Sequence, residues 1–284
     1  MNKKLQKTNF FCLLLLLMFV SGCAVPVVKE FRICSGVESI SQIAGLLESQ
    51  GENSVSFKAN GNCVWRQRKD GVLKRQEVFN VKIWVSPPGE IRLQGDIAFD
   101  PQGIVLGSNS DEYWLAIKPG GISSYWWGQW ANAESFGGLA ISPKVLLEAM
   151  GVVEADFGQG WSLANEGPFD VLTKVSGGVA VKKVYVYSCE RRVARIEYFN
   201  DSGERIVAVE LGNYIKVTDD FYVPGIVKLV SDIGDEGENS FLITLSSVRE
   251  SEFSDVQRGR LFAKPKLEGF SRVVENGVLV KSPD

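Results

Sequence analysis

The chain contains no histidine in its 284 residues. This absence excludes Ser-His-Asp and Cys-His catalysis, and it removes the usual ligand of zinc and non-haem iron sites. Lysines and arginines form no basic stripe and the formal net charge is −3, which argues against a nucleic-acid partner. The carboxylate pairs, such as Asp219-Asp220, are sequence neighbours that point apart in an extended chain. We therefore expect no enzyme, no cofactor and no metal site.

The chain also lacks an apolar run long enough to cross a bilayer, which needs about 20 residues. Its longest run, Phe10–Val20, has 11 residues and follows Lys3, Lys4 and Lys7 without an acidic residue. A positive start and a short apolar stretch are typical of a secretory signal peptide. The rest of the composition, 45% hydrophobic and 23% charged, is that of a globular protein with a sizeable core.

The residues that end this run resemble a bacterial lipobox. Val20, Ser21 and Gly22 supply a branched aliphatic and two small residues before Cys23. The resemblance implies cleavage before Cys23 and acylation of that cysteine, whereas the alternative is an ordinary signal peptide with a coincidental cysteine. Two or three acyl chains hold a protein on a membrane, since each buried methylene contributes about 0.8 kcal/mol. Ala24 stands where an aspartate commonly retains Gram-negative lipoproteins at the inner membrane, so we expect the outer membrane, facing the periplasm.

Three cysteines remain in the mature chain once Cys12 is lost and Cys23 is acylated. Cys34, Cys63 and Cys189 permit one disulfide outside the cytoplasm, and the sequence alone does not assign the pair. Cys63 lies on the apolar face of an alternating pattern, which predicts a buried free thiol.

Two helices are predicted from their end signals. Ser35-Gly36-Val37-Glu38 has the form of a capping box and precedes apolar residues at helical spacing, which predicts a helix over Gly36–Gln50. Ser142 followed by Pro143 predicts a second, short helix over Pro143–Met150.

Alternation with a period of two predicts strands along most of the remaining chain. It begins with Phe57, Cys63 and Trp65 on one face, and hairpin signals such as Asp70-Gly71 separate the segments. Later strands are predicted at 181–189, 192–199, 205–211, 226–232 and 241–249. The fold class is therefore mainly β with a few helices (α+β), built as one strongly curved antiparallel sheet of about ten strands.

The segment YWWGQW, residues 125–130, holds three of the seven tryptophans. On a strand, Ile122, Trp126 and Trp130 face one way while Tyr125 and Trp127 face the other. The sequence leaves three readings open: a strand buried on both sides, the wall of a cavity, or an exposed loop over 126–138 that inserts into a membrane.

The order of these segments resembles the LolA/LolB-like lipoprotein carriers, especially their lipid-anchored branch. The resemblance rests on PPGEIRLQGDI (residues 87–97), GSNSDEYWLAIKP (107–119) and RGRLFAKPKLEGFSRV (258–273), in this order after a lipobox. It implies an unclosed half-barrel whose concave side is covered by short helices, with an apolar cavity between them that takes acyl chains.

These inferences give residues 1–22 as a lipoprotein signal peptide, 23–34 as an acylated tether and 35–284 as a single LolA/LolB-like domain. We expect a lipid-anchored envelope protein that binds an acyl chain, lipid or lipoprotein for transfer or localisation. The alternative is a non-catalytic accessory lipoprotein without a ligand. The candidate cavity lining is Phe57, Trp65, Val81, Ile83, Leu93, Tyr113, Leu115 and Trp126.

Overall fold

The structure is a computed structural model that describes residues 32–97, 100–118, 123–132, 141–152, 157–232 and 237–281. From Ile33 onward the chain forms one compact unit. The predicted signal peptide, Cys23 and most of the predicted tether lie outside the described residues, as do Ile122 and part of the candidate insertion loop.

Fifteen strands form the described sheet. The first six are β1 Phe57–Lys69, β2 Val72–Ser86, β3 Glu90–Ile97, β4 Asp100–Ser108, β5 Glu112–Ile117 and β6 Ser124–Gln129. The next seven are β7 Trp161–Glu166, β8 Phe169–Ser176, β9 Val179–Tyr187, β10 Arg192–Phe199, β11 Arg205–Lys216, β12 Tyr222–Asp232 and β13 Glu238–Glu250. The last two are β14 Arg272–Glu275 and β15 Val278–Lys281.

The sheet consists of two antiparallel meanders. One runs from β1 to β6 and the other from β7 to β13, and the pairing of β1 with β13 joins them into one open sheet. The predicted mainly β half-barrel is confirmed, but the sheet has fifteen strands rather than about ten. β14 also pairs in parallel with β6, because the chain returns to that edge through a long segment after β13 and not through a hairpin.

Three helices accompany the described sheet: α1 Ile40–Glu52, α2 Pro143–Ala149 and α3 Asp255–Leu261. Apolar residues of α1 and α2 join the main core cluster on one face of the sheet, with Ile43, Val145 and Leu146 buried. The predicted second helix is confirmed with Ser142 as its N-cap residue. The third helix was not predicted; it begins with a capping box between Ser254 and Gln257.

The predicted start of the first helix is wrong. The helix begins at Ile40 instead of Gly36, with Ser39 as the N-cap residue. The preceding residues are held by the sheet, since the Val37 backbone N–H donates to Asp170 Oδ1 at 3.0 Å. A Cβ on Gly36 would lie 2.5 Å from the same oxygen. A contact with a strand more than 130 residues away thus replaces the local capping box.

The cysteine pair left open by the sequence is Cys34 with Cys189, which are disulfide-bonded across 155 residues. The disulfide ties the segment before α1 to the turn between β9 and β10. In the same place Arg191 Nη1 donates to Asp170 Oδ2 at 2.8 Å, and the Asp170 side chain is completely buried. A covalent bond and an ion pair therefore fix where α1 starts.

Cys63 is a buried free thiol, as predicted. Burial raises the pKa of this thiol to about 12, because the thiolate would lose its hydration. The group is therefore protonated and unreactive at neutral pH.

The aromatic segment on and after β6 packs against apolar clusters on both faces, with Tyr125 buried and the three tryptophans partly buried, which agrees best with the first of the three readings. Tyr125 and Trp127 pack in a second apolar cluster with Phe270, on the opposite face from the main core. Trp126 and Trp130 pack against the main core, and Trp130 Nε1 donates to the Asn109 carbonyl at 2.8 Å. The aromatic residues of β6 therefore pack on both faces of the sheet at the last strand of the first meander.

Candidate functional site

The eight residues predicted to line a cavity all belong to the main core. They lie on β1, β2, β3, β5 and β6; all are buried except Trp126, which is partly buried. None of them borders the cavity that the described residues form, which lies against the second meander. Their role as a ligand lining stays a prediction.

A cavity of about 520 Å³ lies between α1, α2 and the strands β7 to β11. Most of its wall is apolar. The apolar side chains come from both helices, from three strands and from the segment before β7: Leu47, Ala149, Phe157, Trp161, Val181, Val184, Val193 and Ile196.

The pairing of β9 with β10 explains which side chains face the hollow. Val184 lies opposite Ile196, and Lys182 lies opposite Tyr198, so the period of two puts all four side chains on the same face. Val184 and Val193 in this wall are smaller than the aromatic side chains, such as Phe57 and Trp65, that are buried beneath the first meander.

The side chain of Glu148 connects α2 to the strands β9 and β10 at the cavity wall. Glu148 Oε2 accepts a hydrogen bond from Lys182 Nζ at 2.5 Å and another from the Tyr198 hydroxyl. Burial, and then the negative charge of Glu148, raise the pKa of Tyr198 well above its ordinary value. The hydroxyl therefore stays protonated and donates a hydrogen bond to the Glu148 carboxylate. These contacts tie α2 to β9 and β10 from within the cavity.

Two further polar groups at the wall are bonded within the protein. The Tyr214 hydroxyl donates to the Val193 carbonyl at 2.6 Å, and burial raises the pKa of this phenol. Gln50 Nε2 on α1 donates to the Tyr222 carbonyl at 3.4 Å. The ring of Trp161 lies with its centroid 5.2 Å from that of Phe157. Most of the wall is thus apolar, and several of its polar groups are bonded within the protein, which suits an apolar ligand.

The size of the cavity is that of a ligand site. Small-molecule pockets generally have volumes of about 300–1,000 Å³. An apolar cavity of about 150 Å³ holds one benzene molecule, so the observed 520 Å³ holds more than three such volumes. Glu148 is the one carboxylate among the described lining residues.

The described residues contain no group of three or more His, Cys, Asp or Glu side chains placed to hold a metal ion. None of the described helices has the length and apolar character needed to cross a membrane.

Comparison with known proteins shows which solved structures share this fold. No family model and no curated protein matches the sequence. A structure of a domain assigned to outer membrane lipoprotein sorting, from Vibrio parahaemolyticus, aligns with a TM-score of 0.51 at 12% identity, covering 78% of this chain and 97% of that one. A LolA superfamily protein from Nitrosomonas europaea aligns with a TM-score of 0.50 at 11% identity, over 80% and 99% of the two chains. The fold is LolA-like. A DUF1329 family protein from Desulfovibrio piger shares this LolA-like fold, with a TM-score of 0.51 and 12% identity over 79% of this chain and all of that one.

The resemblance drawn from the sequence is therefore confirmed at the level of fold. At identities of 11–12%, the shared fold does not assign the site residues of those proteins to positions in this chain. The LolA-like sheet explains why a hollow forms, because an open curved sheet needs covering elements on its apolar face. The residues that shape this cavity were missed by sequence reasoning, although one signal was available: on one face of β9, Lys182 interrupts the apolar row of Ala180, Val184 and Val186.

Proposed function

We propose that this chain is a lipid-anchored protein of the bacterial envelope that binds an acyl chain of a lipid or lipoprotein, without making or breaking bonds. The observation that carries the proposal is the 520 Å³ apolar cavity beneath α1 and α2. The LolA-like fold supports it, since a protein assigned to outer membrane lipoprotein sorting has the same architecture. The localisation follows from the lipobox-like residues that end at Cys23.

Burial of methylenes supplies the driving force for such binding. Each buried methylene contributes about 0.8 kcal/mol, so ten methylenes give roughly 8 kcal/mol before the costs of association. Transfer needs no chemical energy, because an acyl chain moves toward whichever cavity or membrane buries it better. Burial of an acyl chain in this cavity could therefore drive the transfer or localisation of a lipid or lipoprotein.

Lipid analysis of the purified protein tests the acyl-binding proposal. We expect solvent extraction followed by mass spectrometry to release about one non-covalent lipid per chain, separate from the covalent anchor. A protein that carries no lipid and takes up none on incubation with vesicles would support the alternative, an accessory lipoprotein with no ligand.

The anchor is tested separately by replacing Cys23 with serine. We expect the wild-type protein to fractionate with membranes and Cys23→Ser to appear in the soluble fraction or as an uncleaved precursor, because serine cannot form the thioether that holds the diacyl group. Wild-type protein should also label with radioactive palmitate. Equal membrane retention and equal labelling of the two proteins would contradict the proposed anchor.

A further inference from the structure

One carboxylate oxygen at the cavity wall has no hydrogen-bond donor among the described residues. Glu148 accepts hydrogen bonds from Lys182 Nζ and from the Tyr198 hydroxyl, and both bonds end on Oε2. None of the described groups donates to Oε1, although the Glu148 side chain is only 14% exposed. Each carboxylate oxygen accepts about two hydrogen bonds. Oε1 therefore keeps its capacity to accept at a wall that is mostly apolar.

The register of β9 and β10 puts this carboxylate beside the apolar part of the wall. Lys182 pairs with Tyr198. Two residues along the strands, on the same face, Val184 pairs with Ile196. Two residues of a strand span about 7 Å. All four side chains line the cavity together with Glu148, so an acyl chain that lies on the two apolar residues lies next to the groups that hold the carboxylate.

A bound chain changes the surroundings of Oε1. An apolar chain displaces water from the wall, and a carboxylate oxygen that loses its donors carries a larger penalty than a neutral acceptor. Lys182 and Tyr198 do not relieve this penalty, because both already donate to Oε2. The cost of covering Oε1 is therefore smallest for a ligand that brings an O–H or N–H of its own.

We propose that the cavity prefers single-chain lipids whose polar end donates a hydrogen bond to Glu148 Oε1, through a hydroxyl or an amide N–H. This inference rests on the proposed acyl-binding function and makes its ligand more specific. The chain supplies most of the affinity, and the donor selects among lipids of equal chain length. Glu148 is then a specificity-determining residue as well as the link between α2 and the sheet.

Competition against a fluorescent fatty acid bound to the delipidated full-length protein tests this inference with two pairs of uncharged ligands. 1-Dodecanol is compared with 1-methoxydodecane, and N-methyldodecanamide with N,N-dimethyldodecanamide. Within each pair the chain is the same and the second member lacks the donor. We expect the donor to improve affinity about tenfold in at least one pair, because hydrogen bonds to a charged acceptor are the stronger ones. The pair that shows the preference distinguishes a hydroxyl from an amide N–H.

Glu148→Gln should reduce this preference to less than about threefold. Lys182 and Tyr198 both donate, which orients the carboxamide oxygen toward them and leaves the NH₂ group in the place of Oε1, where it donates instead of accepting. Ligands without a donor should bind this variant at least as tightly as they bind the wild type. The matched control is Glu48→Gln at an exposed position of α1, which should keep the preference.

Two results would overturn the inference and leave acyl binding intact. One is equal affinity within both ligand pairs for the wild type, a comparison that needs no variant. The other is a preference of unchanged size in Glu148→Gln, because the donor would then bind elsewhere. If neither the fluorescent fatty acid nor any of the four ligands binds the wild type, the proposed function fails with it.

Discussion

Replacing Cys34 and Cys189 with serine is expected to lower the free energy of unfolding by about 2–5 kcal/mol. The disulfide closes a loop of 155 residues, for which the chain-entropy model gives about 5 kcal/mol. It also holds the segment that leads into α1 on the turn between β9 and β10. Urea unfolding followed by circular dichroism measures the change as a shift of the midpoint.

Reduction provides the matched control for this prediction. Dithiothreitol should shift the midpoint of the wild-type protein to that of the double serine variant, and it should leave the variant unchanged. Cys63 does not interfere, because it is buried and its thiol pKa is raised. A wild-type midpoint that is the same with and without reductant would contradict the assigned pair.

Val193→Trp is expected to weaken acyl-chain binding by at least tenfold. Val193 and Ile196 line the cavity from β10. A tryptophan at position 193 would occupy the volume that the acyl chain is proposed to fill. Displacing two methylenes costs about 1.6 kcal/mol, which corresponds to slightly more than tenfold in affinity. Titration with a fluorescent fatty acid measures the loss.

The control is the same substitution on an exposed strand position. Val78 is 66% exposed on β2, so Val78→Trp should bind as the wild type does. Overpacking can cost about 1–3 kcal/mol of stability, so the thermal midpoint of each variant is measured alongside. Leu47→Trp fills the cavity from the α1 side and should reproduce the loss. Wild-type affinity in both filled variants would show that the ligand binds elsewhere.

Local patterns predicted the elements that local interactions determine. The strand predicted at 192–199 coincides with β10, and turns bound it on both sides. The helix after Ser142 is also found, because the Ser-Pro start signal is contained within the segment.

Long-range contacts explain what the sequence did not predict. β8 was missed because Asp170, Val171 and Leu172 are buried in succession, which removes the alternation that identifies a strand. The fully buried Asp170 is satisfied by Val37 and Arg191, residues that no local window brings together. The same contacts moved the start of α1 and invalidated the capping box at Ser35.

The position of the cavity could not be predicted for a similar reason. Alternation identifies the apolar face of each strand but not how completely that face is covered. The predicted lining residues lie on the first meander, and their role as a ligand lining stays a prediction. The observed cavity borders the second meander, where Val184 and Val193 lie in its wall below α1 and α2.

The most direct test of acyl binding in this cavity is crystallography with hexadecanoate carrying bromine at its terminal carbon. We predict an anomalous peak inside the cavity bounded by Leu47, Val193 and Ile196. A bromine peak on another face of the protein, or none in crystals grown at a ligand concentration that saturates the protein in solution, would contradict the account.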